Sequence, residues 1–236
     1  MIAPPHSGDA TMTDATMNPP STQPAPLRLG DKAPDFEANT THGPIKFSTW
    51  ANGQWVILFS HPADFTPVCT TEFVGFAKNA ETFAKKGVKL IGNSIDSIYS
   101  HIAWVRDIEK NNNVKIPFPV IADLDQKVAR AYGMIHAGAS DMATVRAVFV
   151  IDPKKTIRAL VYYPMQCGRS IDEIVRIVEA LQTVDKNANT ATPEGWQKGD
   201  KVIMPPPKTT ADAESRVSET KNNPDAKDWY FVKRSL

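Results

Sequence analysis

The sequence has 236 residues, 42% of them hydrophobic and 22% charged, which is typical of a globular protein with one large or two small domains. Its net charge of +1 gives no reason to expect nucleic acid or an anionic membrane surface as a partner. Two cysteines are too few for a secreted disulfide framework, and no apolar run approaches the roughly 18 residues that span a bilayer. We therefore expect no membrane partner, a reducing compartment, and the cytoplasm as the default location.

The chain divides by composition into three parts. Residues 1–26 are rich in Pro, Thr, Ala and Ser, contain no Lys or Arg, and are predicted to be a disordered leader rather than a targeting peptide. Residues 27–184 carry the apolar periodicity of a folded domain. Residues 185–236 form a polar, proline-interrupted extension that ends in large aromatic side chains. Such an arm cannot build its own core, so it should dock on another surface, which favours a homodimer.

The first strong pattern in the main domain is a strand followed by a helix. The apolar run at residues 55–60 predicts a buried strand. Thr66 and Pro67 look like an N-cap and a first helical residue, and helical apolar spacing follows from Phe73. Gly87 is the expected helix stop.

Strands and helices continue to alternate after this unit. In the next predicted helix, apolar residues at helical spacing should form the buried side; they are Ile98, Ile102, Val105 and Ile108. Ser170 and Glu173 form a capping box at the start of the last helix. The predicted segments after Gly87 are strand 88–95, helix 97–111, strand 118–122, helix 126–132, strands 145–151 and 156–163, and helix 170–181. This order predicts a layered α/β domain.

Cys69 falls in the first turn of the first predicted helix, directly after a polar loop. A free cysteine has a pKa near ~8.5, and reaching about 6 requires roughly 3.4 kcal/mol. A helix N-terminus contributes at most ~2 kcal/mol to an anion, so a nearby cation must supply the rest of a thiolate's stabilisation. The other interpretation of Cys69 is a small buried apolar residue, but its position favours reactivity.

Four residues that could take part in the chemistry of Cys69 also have a purely structural interpretation. Arg146 interrupts the apolar run 145–151, so its guanidinium either meets an anion or lies at the strand end facing water. The Thr66 hydroxyl could lie beside the sulfur, cap the helix, or do both. His61 is either structural or catalytic, and Glu72 could simply be a first-turn acid that favours the helix dipole.

Other chemistries fit the spacing less well. Cys69 is followed by Thr-Thr-Glu, so there is no CxxC pair, and no Cys/His cluster has metal-ligand spacing. No glycine-rich dinucleotide or phosphate motif occurs. A cysteine acyl-transfer enzyme with a histidine base stays open, because the chain offers His61, His101 and His136.

Residues 61–72, which read HPADFTPVCTTE, resemble the peroxiredoxins. The family's P-x-x-x-T-x-x-C signature is matched by Pro62, Thr66 and Cys69. The resemblance extends over residues 27–207, and residues 191–200 are similar to the C-terminal extension of the one-cysteine subgroup.

The resemblance implies a thioredoxin-like fold, with a central mixed sheet flanked by helices, plus a C-terminal extension arm. It also implies a thiol-dependent peroxidase that reduces hydrogen peroxide and organic hydroperoxides. The cysteine matching Cys69 attacks the O–O bond and becomes a sulfenic acid. The family implies no cofactor and no metal, so none is expected here.

The resemblance implies a role for each residue that matches a site position of the family. Thr66 and Arg146 would orient the peroxide and stabilise the charge on the departing oxygen. Pro62 would shield the sulfenic acid from water. His61 and Arg169 match positions that line the substrate pocket or support Arg146.

The resemblance also implies how the cycle closes. No cysteine follows Cys167, which matches no known resolving position and is predicted to be a bystander. An external thiol must therefore complete turnover, and the expected assembly is a homodimer or a higher homo-oligomer. The alternative function is a peroxide sensor or chaperone-like binding protein that uses Cys69 as a redox switch.

Overall fold

The computed structural model describes residues 26–140 and 142–236. The predicted disordered leader thus lies, apart from Pro26, outside the described residues. The elements of the main domain follow in chain order: β1 (Glu37–Thr40), β2 (Gly43–Lys46), α1 (Phe47–Ala51), β3 (Trp55–Ser60), α2 (Pro67–Lys85), β4 (Val88–Ser94), α3 (Ile98–Asn112), β5 (Val120–Ala122), α4 (Lys127–Ala131), β6 (Arg146–Ile151), β7 (Ile157–Tyr163) and α5 (Ile171–Lys186).

The main sheet of the described chain has seven strands in the order β2-β1-β5-β4-β3-β6-β7. Strands β3, β4 and β5 are parallel, and the remaining pairs are antiparallel. The mixed sheet with helices on its faces confirms the predicted layered α/β architecture. Strand β3 lies in the interior of the sheet, between β4 and β6, so the loop and helix that follow it start from a strand held on both edges.

Side chains of β3 alternate between two cores, as a strand buried on both faces requires. Ile57 and Phe59 pack into the core that also contains the buried residues of α2, α3 and α5. Val56 and Leu58 pack into the opposite core, beneath α1 and α4. The prediction of a buried strand at residues 55–60 is confirmed residue for residue.

Helix α2 begins and ends where its sequence signals predict. Thr66 occupies the N-cap, Pro67 is the first helical residue, and Gly87 follows the helix with a φ of +68°. One detail of the cap is wrong, because the Thr66 side chain makes no capping hydrogen bond. Ser170 caps α5 as predicted, accepting a hydrogen bond from the Glu173 amide at 3.3 Å.

The buried side of α3 differs from its predicted apolar stripe. The side chains that α3 buries are those of His101, Trp104 and Ile108, whereas Ile102 is exposed. The polar side chain of His101 is buried, whereas the hydrophobic pattern predicted that the neighbouring Ile102 would be. Its buried position is explained by a carboxylate that it meets in the neighbouring loop, described below.

The C-terminal arm has more structure than its composition indicated. It contains β8 (Val202–Ile203), α6 (Thr210–Thr220), β9 (Ala226–Asp228) and β10 (Phe231–Arg234), with β10 pairing between β8 and β9. Val202 and Val232 are buried in this small sheet, and Trp196 is buried before it. Among the described residues, no helix is both long and apolar enough to cross a bilayer.

Candidate active site

Cys69 is the third residue of α2, and its side chain is fully buried, with 0% exposure. The turn that carries it is held by the Thr70 amide, which donates to the Thr66 carbonyl at 3.0 Å. Arg146 Nη1 donates to the Cys69 sulfur at 3.3 Å. The predicted pairing of the helix-start cysteine with a strand arginine is therefore present in the structure.

Arg146 is the first residue of β6, which pairs directly with β3. Its Nε and Nη2 atoms both donate to the Met165 carbonyl oxygen, at 2.9 and 2.8 Å. Nη1 also lies 2.7 Å from Glu72 Oε2, and the side chain is buried. Of the two interpretations of Arg146, the structure shows the one in which the guanidinium meets anions inside the protein.

Glu72 links Arg146 to a second buried arginine, Arg169. The Arg169 amide and Nε donate to Glu72 Oε1 at 2.8 and 3.0 Å, and its Nη2 donates to Oε2 at 2.7 Å. Arg169 Nη1 donates to the carbonyls of Ser60 and Ala147, both at 2.9 Å. Cys69, Glu72, Arg146 and Arg169 are called the arginine cluster from here on.

The charges of the arginine cluster favour an anion at the sulfur. Burial alone would raise the pKa of Glu72, but hydrogen bonds and charge from Arg169, together with the charge of Arg146, hold it below its ordinary value. An ionised Glu72 neutralises one of the two guanidinium groups. One positive charge is left over in a buried site, where uncompensated charge is costly. A negative charge beside Arg146 would balance it.

Thr66 and Pro62 lie on the loop before α2. The half-buried Thr66 hydroxyl donates to the Ala63 carbonyl at 2.8 Å, so its oxygen keeps lone pairs that can accept a hydrogen bond. Pro62 is buried. Both residues are thus close to Cys69 along the chain, on the segment between β3 and α2.

His61 is held by a carboxylate in the loop before α2. Its ring is buried, and Nε2 lies 2.9 Å from Asp64 Oδ1. His101 also contacts Asp64, and His136 Nε2 lies 3.1 Å from the Gly133 carbonyl. Within the described residues, none of these three histidines is hydrogen-bonded to the Cys69 sulfur, so the geometry offers no Cys–His pair for acyl transfer.

Comparison with known proteins agrees with this geometry. The AhpC/TSA family model matches residues 29–160, and the model for the C-terminal domain of 1-Cys peroxiredoxin matches residues 180–220. A peroxiredoxin of Aquifex aeolicus is 52% identical over 219 residues, covering 89% of this chain and 97% of the relative. A peroxiredoxin of Thermoplasma volcanium is 51% identical and is covered over 100% of its length.

The chain belongs to the peroxiredoxin family.

Solved structures place this peroxiredoxin in the one-cysteine subgroup. It is 40% identical to a yeast mitochondrial 1-Cys peroxiredoxin, with a TM-score of 0.78 and coverage of 89% of this chain and 100% of the other. A peroxiredoxin 6 of Arenicola marina is 36% identical, with a TM-score of 0.74 and coverage of 88% and 99%. The predicted thioredoxin-like fold is confirmed, and this peroxiredoxin is a thiol-dependent peroxidase, an oxidoreductase.

Sequence reasoning missed the part that Glu72 plays in this peroxiredoxin. The interpretation of Glu72 as a first-turn acid is wrong, because the first turn of α2 contains no acid and Glu72 is buried between two guanidinium groups. A signal was available, since Glu72 follows Cys69 by three residues and so shares its helix face. An acid on the face that also carries Phe73 and Phe76 needs a buried cation. The Met165 carbonyl left no such signal, because any residue could supply it.

Proposed function

We propose that Cys69 is the cysteine that reacts with the peroxide, and that the arginine cluster keeps it reactive. The observation that carries this proposal is the 3.3 Å hydrogen bond from Arg146 to the sulfur inside a cluster with one surplus positive charge. The thiolate attacks one peroxide oxygen and the O–O bond breaks. The other oxygen leaves as water or an alcohol after taking a proton, and the sulfur becomes a sulfenic acid.

The residues around Cys69 stabilise charge, bind the peroxide and shield the product. Arg146 lies where it can stabilise both the thiolate and the negative charge that develops on the leaving oxygen. Thr66 offers an acceptor for the peroxide O–H. Arg169 acts through Glu72, which fixes the position of Arg146. Pro62 shields the sulfenic acid, and His61 lines the site that takes hydrogen peroxide or an organic hydroperoxide.

An external thiol completes the cycle in this proposal. Cys69 is buried and Cys167 is exposed, and both are free thiols. The yeast mitochondrial relative resolves its thiol through glutathione and thioredoxin systems. We therefore propose a reductant of the same class, glutathione or a thioredoxin-like dithiol, with Cys167 as a bystander. Two free thiols suit a reducing compartment, and the cytoplasm is the proposed location.

The test uses two cysteine variants as a matched pair. Reduced protein is mixed with hydrogen peroxide in a stopped-flow instrument, and the sulfenic acid is trapped and located by mass spectrometry. Cys69→Ser should abolish the fast phase and the trapped product, whereas Cys167→Ser should retain both. Peroxide consumption by Cys69→Ser at the wild-type rate would defeat the assignment, and a Cys69–Cys167 disulfide would defeat the external thiol.

We also propose that residues 185–236 form a dimerisation arm. The small sheet buries Val232 on one side, while Trp229 and Tyr230 are 39% and 54% exposed. Exposed aromatic residues next to one another are typical of a protein–protein interface. Trp229→Ser with Tyr230→Ser should shift the sedimentation coefficient towards the monomer, whereas Tyr99→Ser, on α3, should not. An unchanged coefficient for the double variant would remove the arm from the dimer interface.

A further inference from the structure

A second group of buried ionisable side chains lies close to the arginine cluster without belonging to it. It consists of His61, Asp64 and His101 and is called the histidine–aspartate triad here. All three side chains are buried. They come from the residue after β3, the loop before α2, and the first turn of α3. Asp64 Oδ1 lies 2.9 Å from His61 Nε2, and Asp64 Oδ2 lies 2.8 Å from His101 Nδ1.

The hydrogen bonds of His101 determine where its protons lie. Nε2 lies 3.0 Å from the Ile121 carbonyl oxygen, which can only accept, so Nε2 carries a proton. Burial would raise the pKa of Asp64, but hydrogen bonds from His101 and His61 hold it well below its ordinary value. An ionised carboxylate also only accepts, so His101 Nδ1 carries a proton as well. His101 is therefore a buried imidazolium.

His61 has the opposite character within the same triad. Its Nε2 donates to Asp64, while Nδ1 is buried and has no hydrogen-bond partner among the described residues. Burial lowers the pKa of His61, and the hydrogen bond to Asp64 only partly opposes this. A neutral ring protonated at Nε2 fits both observations. The triad then holds one anion, one cation and one neutral ring, and its net charge is zero.

The triad is joined to the loop that carries the proposed peroxide-binding residues. Asp64 lies between Pro62 and Thr66, and its side chain ties that loop to α3 through His101. The Asp64 amide donates to Asp96 Oδ2 at 3.2 Å, which ties the loop to the end of β4 as well. Asp96 is the further charged side chain beside the triad, since its charge also acts on His61.

A second connection runs through aromatic packing to the catalytic turn. The His61 ring packs against the Trp104 ring with 5.0 Å between centroids. Trp104 Nε1 donates to Thr70 Oγ1 at 3.3 Å, and Thr70 follows Cys69 directly. Thr70 Oγ1 in turn donates to the Thr66 carbonyl at 2.8 Å. These contacts join the His61 ring to the turn that carries the sulfur.

We propose that Asp64 and His101 are positioning residues for the peroxidase reaction, whose buried ion pair holds the loop of residues 62–66 against the catalytic helix. This inference rests on the proposed function of Cys69. One potential metal-ligand atom from each of His61, Asp64 and His101 lies within 4.8 Å of the other two, a spacing that would also suit a metal ion. The distances of 2.8 to 3.0 Å are those of normal hydrogen bonds, which favours protons rather than a metal ion between these atoms.

The kinetic test replaces the acceptor at the centre of the triad. Asp64→Asn turns one carboxylate oxygen into a donor that faces a ring N–H. The second-order rate constant with hydrogen peroxide should fall by roughly 10- to 100-fold, as for a sub-ångström displacement of reacting groups. The control is Asp123→Asn, a buried carboxylate that accepts from the amides of Val128 and Ala129. It should lower the melting temperature without changing the rate constant.

Two further measurements separate positioning from general stability. His101→Gln should slow the reaction as Asp64→Asn does, and the double variant should be no slower than the slower single variant, because both changes break one network. In ¹⁵N NMR at pH 7, His101 should show two protonated nitrogens and His61 only a protonated Nε2.

Failure of this inference and failure of the proposed function give different results. A wild-type rate constant in Asp64→Asn, with the reaction still dependent on Cys69, overturns this inference alone. A neutral His101, or stoichiometric Zn²⁺ binding that His101→Gln removes, also overturns it. A reaction that does not depend on Cys69 overturns the proposed function itself.

Discussion

The arginine cluster and the histidine–aspartate triad are two buried charge networks built on the same stretch of chain, residues 61–72, and they differ in charge balance. The first places two guanidinium groups around one carboxylate and donates to a sulfur. The second is the inferred ion pair of Asp64 and His101, in which each His101 ring nitrogen already has a protein acceptor. A surplus of buried positive charge stabilises an anion such as a thiolate, and this makes the arginine cluster suited to a reaction. A balanced network only fixes geometry.

The two networks also differ in how they respond to pH. Guanidinium groups stay charged throughout the physiological range, so the arginine cluster keeps its positive charge from Arg146 and Arg169. Histidine changes charge near neutrality. Within the two networks, a fall in pH should therefore act on the free energy of unfolding through His61, whose pKa is lowered by burial, rather than through the two guanidinium groups. The three predictions that follow test this contrast, beginning with the largest expected effect.

Removing the shared carboxylate should disrupt the arginine cluster most. Glu72→Gln leaves two buried guanidinium groups without their shared carboxylate, which should lower the free energy of unfolding by about 3–5 kcal/mol. Chemical denaturation measures this. Glu81→Gln is the control on the same helix, because its pair with Lys85 is exposed and should contribute very little. Equal effects of the two variants would show that the arginine cluster stabilises no more than a surface ion pair.

Removing the cation should affect the reaction more than the fold. Arg146→Ala should lower the second-order rate constant with hydrogen peroxide by roughly 10²–10³-fold, or ~2.7–4 kcal/mol, as for a lost oxyanion donor. Arg146→Lys keeps the charge but cannot reproduce the paired donation to the Met165 carbonyl, so its rate constant should lie between those of the wild type and Arg146→Ala. Stopped-flow kinetics on folded variants measures both. An Arg146→Ala rate equal to that of wild type would remove the arginine from the mechanism.

The smallest effect concerns the triad and pH. Because the pKa of folded His61 lies below its ordinary value of 6.5, the unfolded chain binds a proton that the folded protein does not. The free energy of unfolding should therefore fall as pH drops below 6.5, by at most ~1.4 kcal/mol per pH unit. His61→Gln should lose this slope, whereas His136→Gln should retain it. A slope unchanged in His61→Gln would mean that His61 is not held neutral.

Local sequence signals were sufficient for the elements that carry the chemistry. Strand β3, the start of α2 and the capped start of α5 lie where apolar spacing and capping residues predict them. The weakly patterned N-terminal segment gave no such signal, and β1, β2 and α1 were not predicted. Their short strands owe their stability to pairing at the edge of the main sheet, which is a tertiary effect.

The site was predictable only in part, for a related reason. A cysteine in a helix's first turn and an arginine within an apolar strand each break a local rule, and that conflict identified them. Asp64 breaks no such rule, because acids near a helix start are common. Glu72 breaks one only when the helix face that it shares with Phe76 is considered. His101 appeared to be a polar residue beside an apolar stripe. Its burial could be understood only once Asp64 was known to face it.

The amino-acid sequence alone determined the family and the layered fold and predicted which thiol reacts, because these depend on residue types at short, fixed spacings along one strand, loop and helix. Only the tertiary structure decided which buried charges meet. Arg146 lies 77 residues from Cys69, and His101 lies 37 residues from Asp64. Charge pairing depends on distance in space, and the sheet order brings these residues within hydrogen-bonding reach.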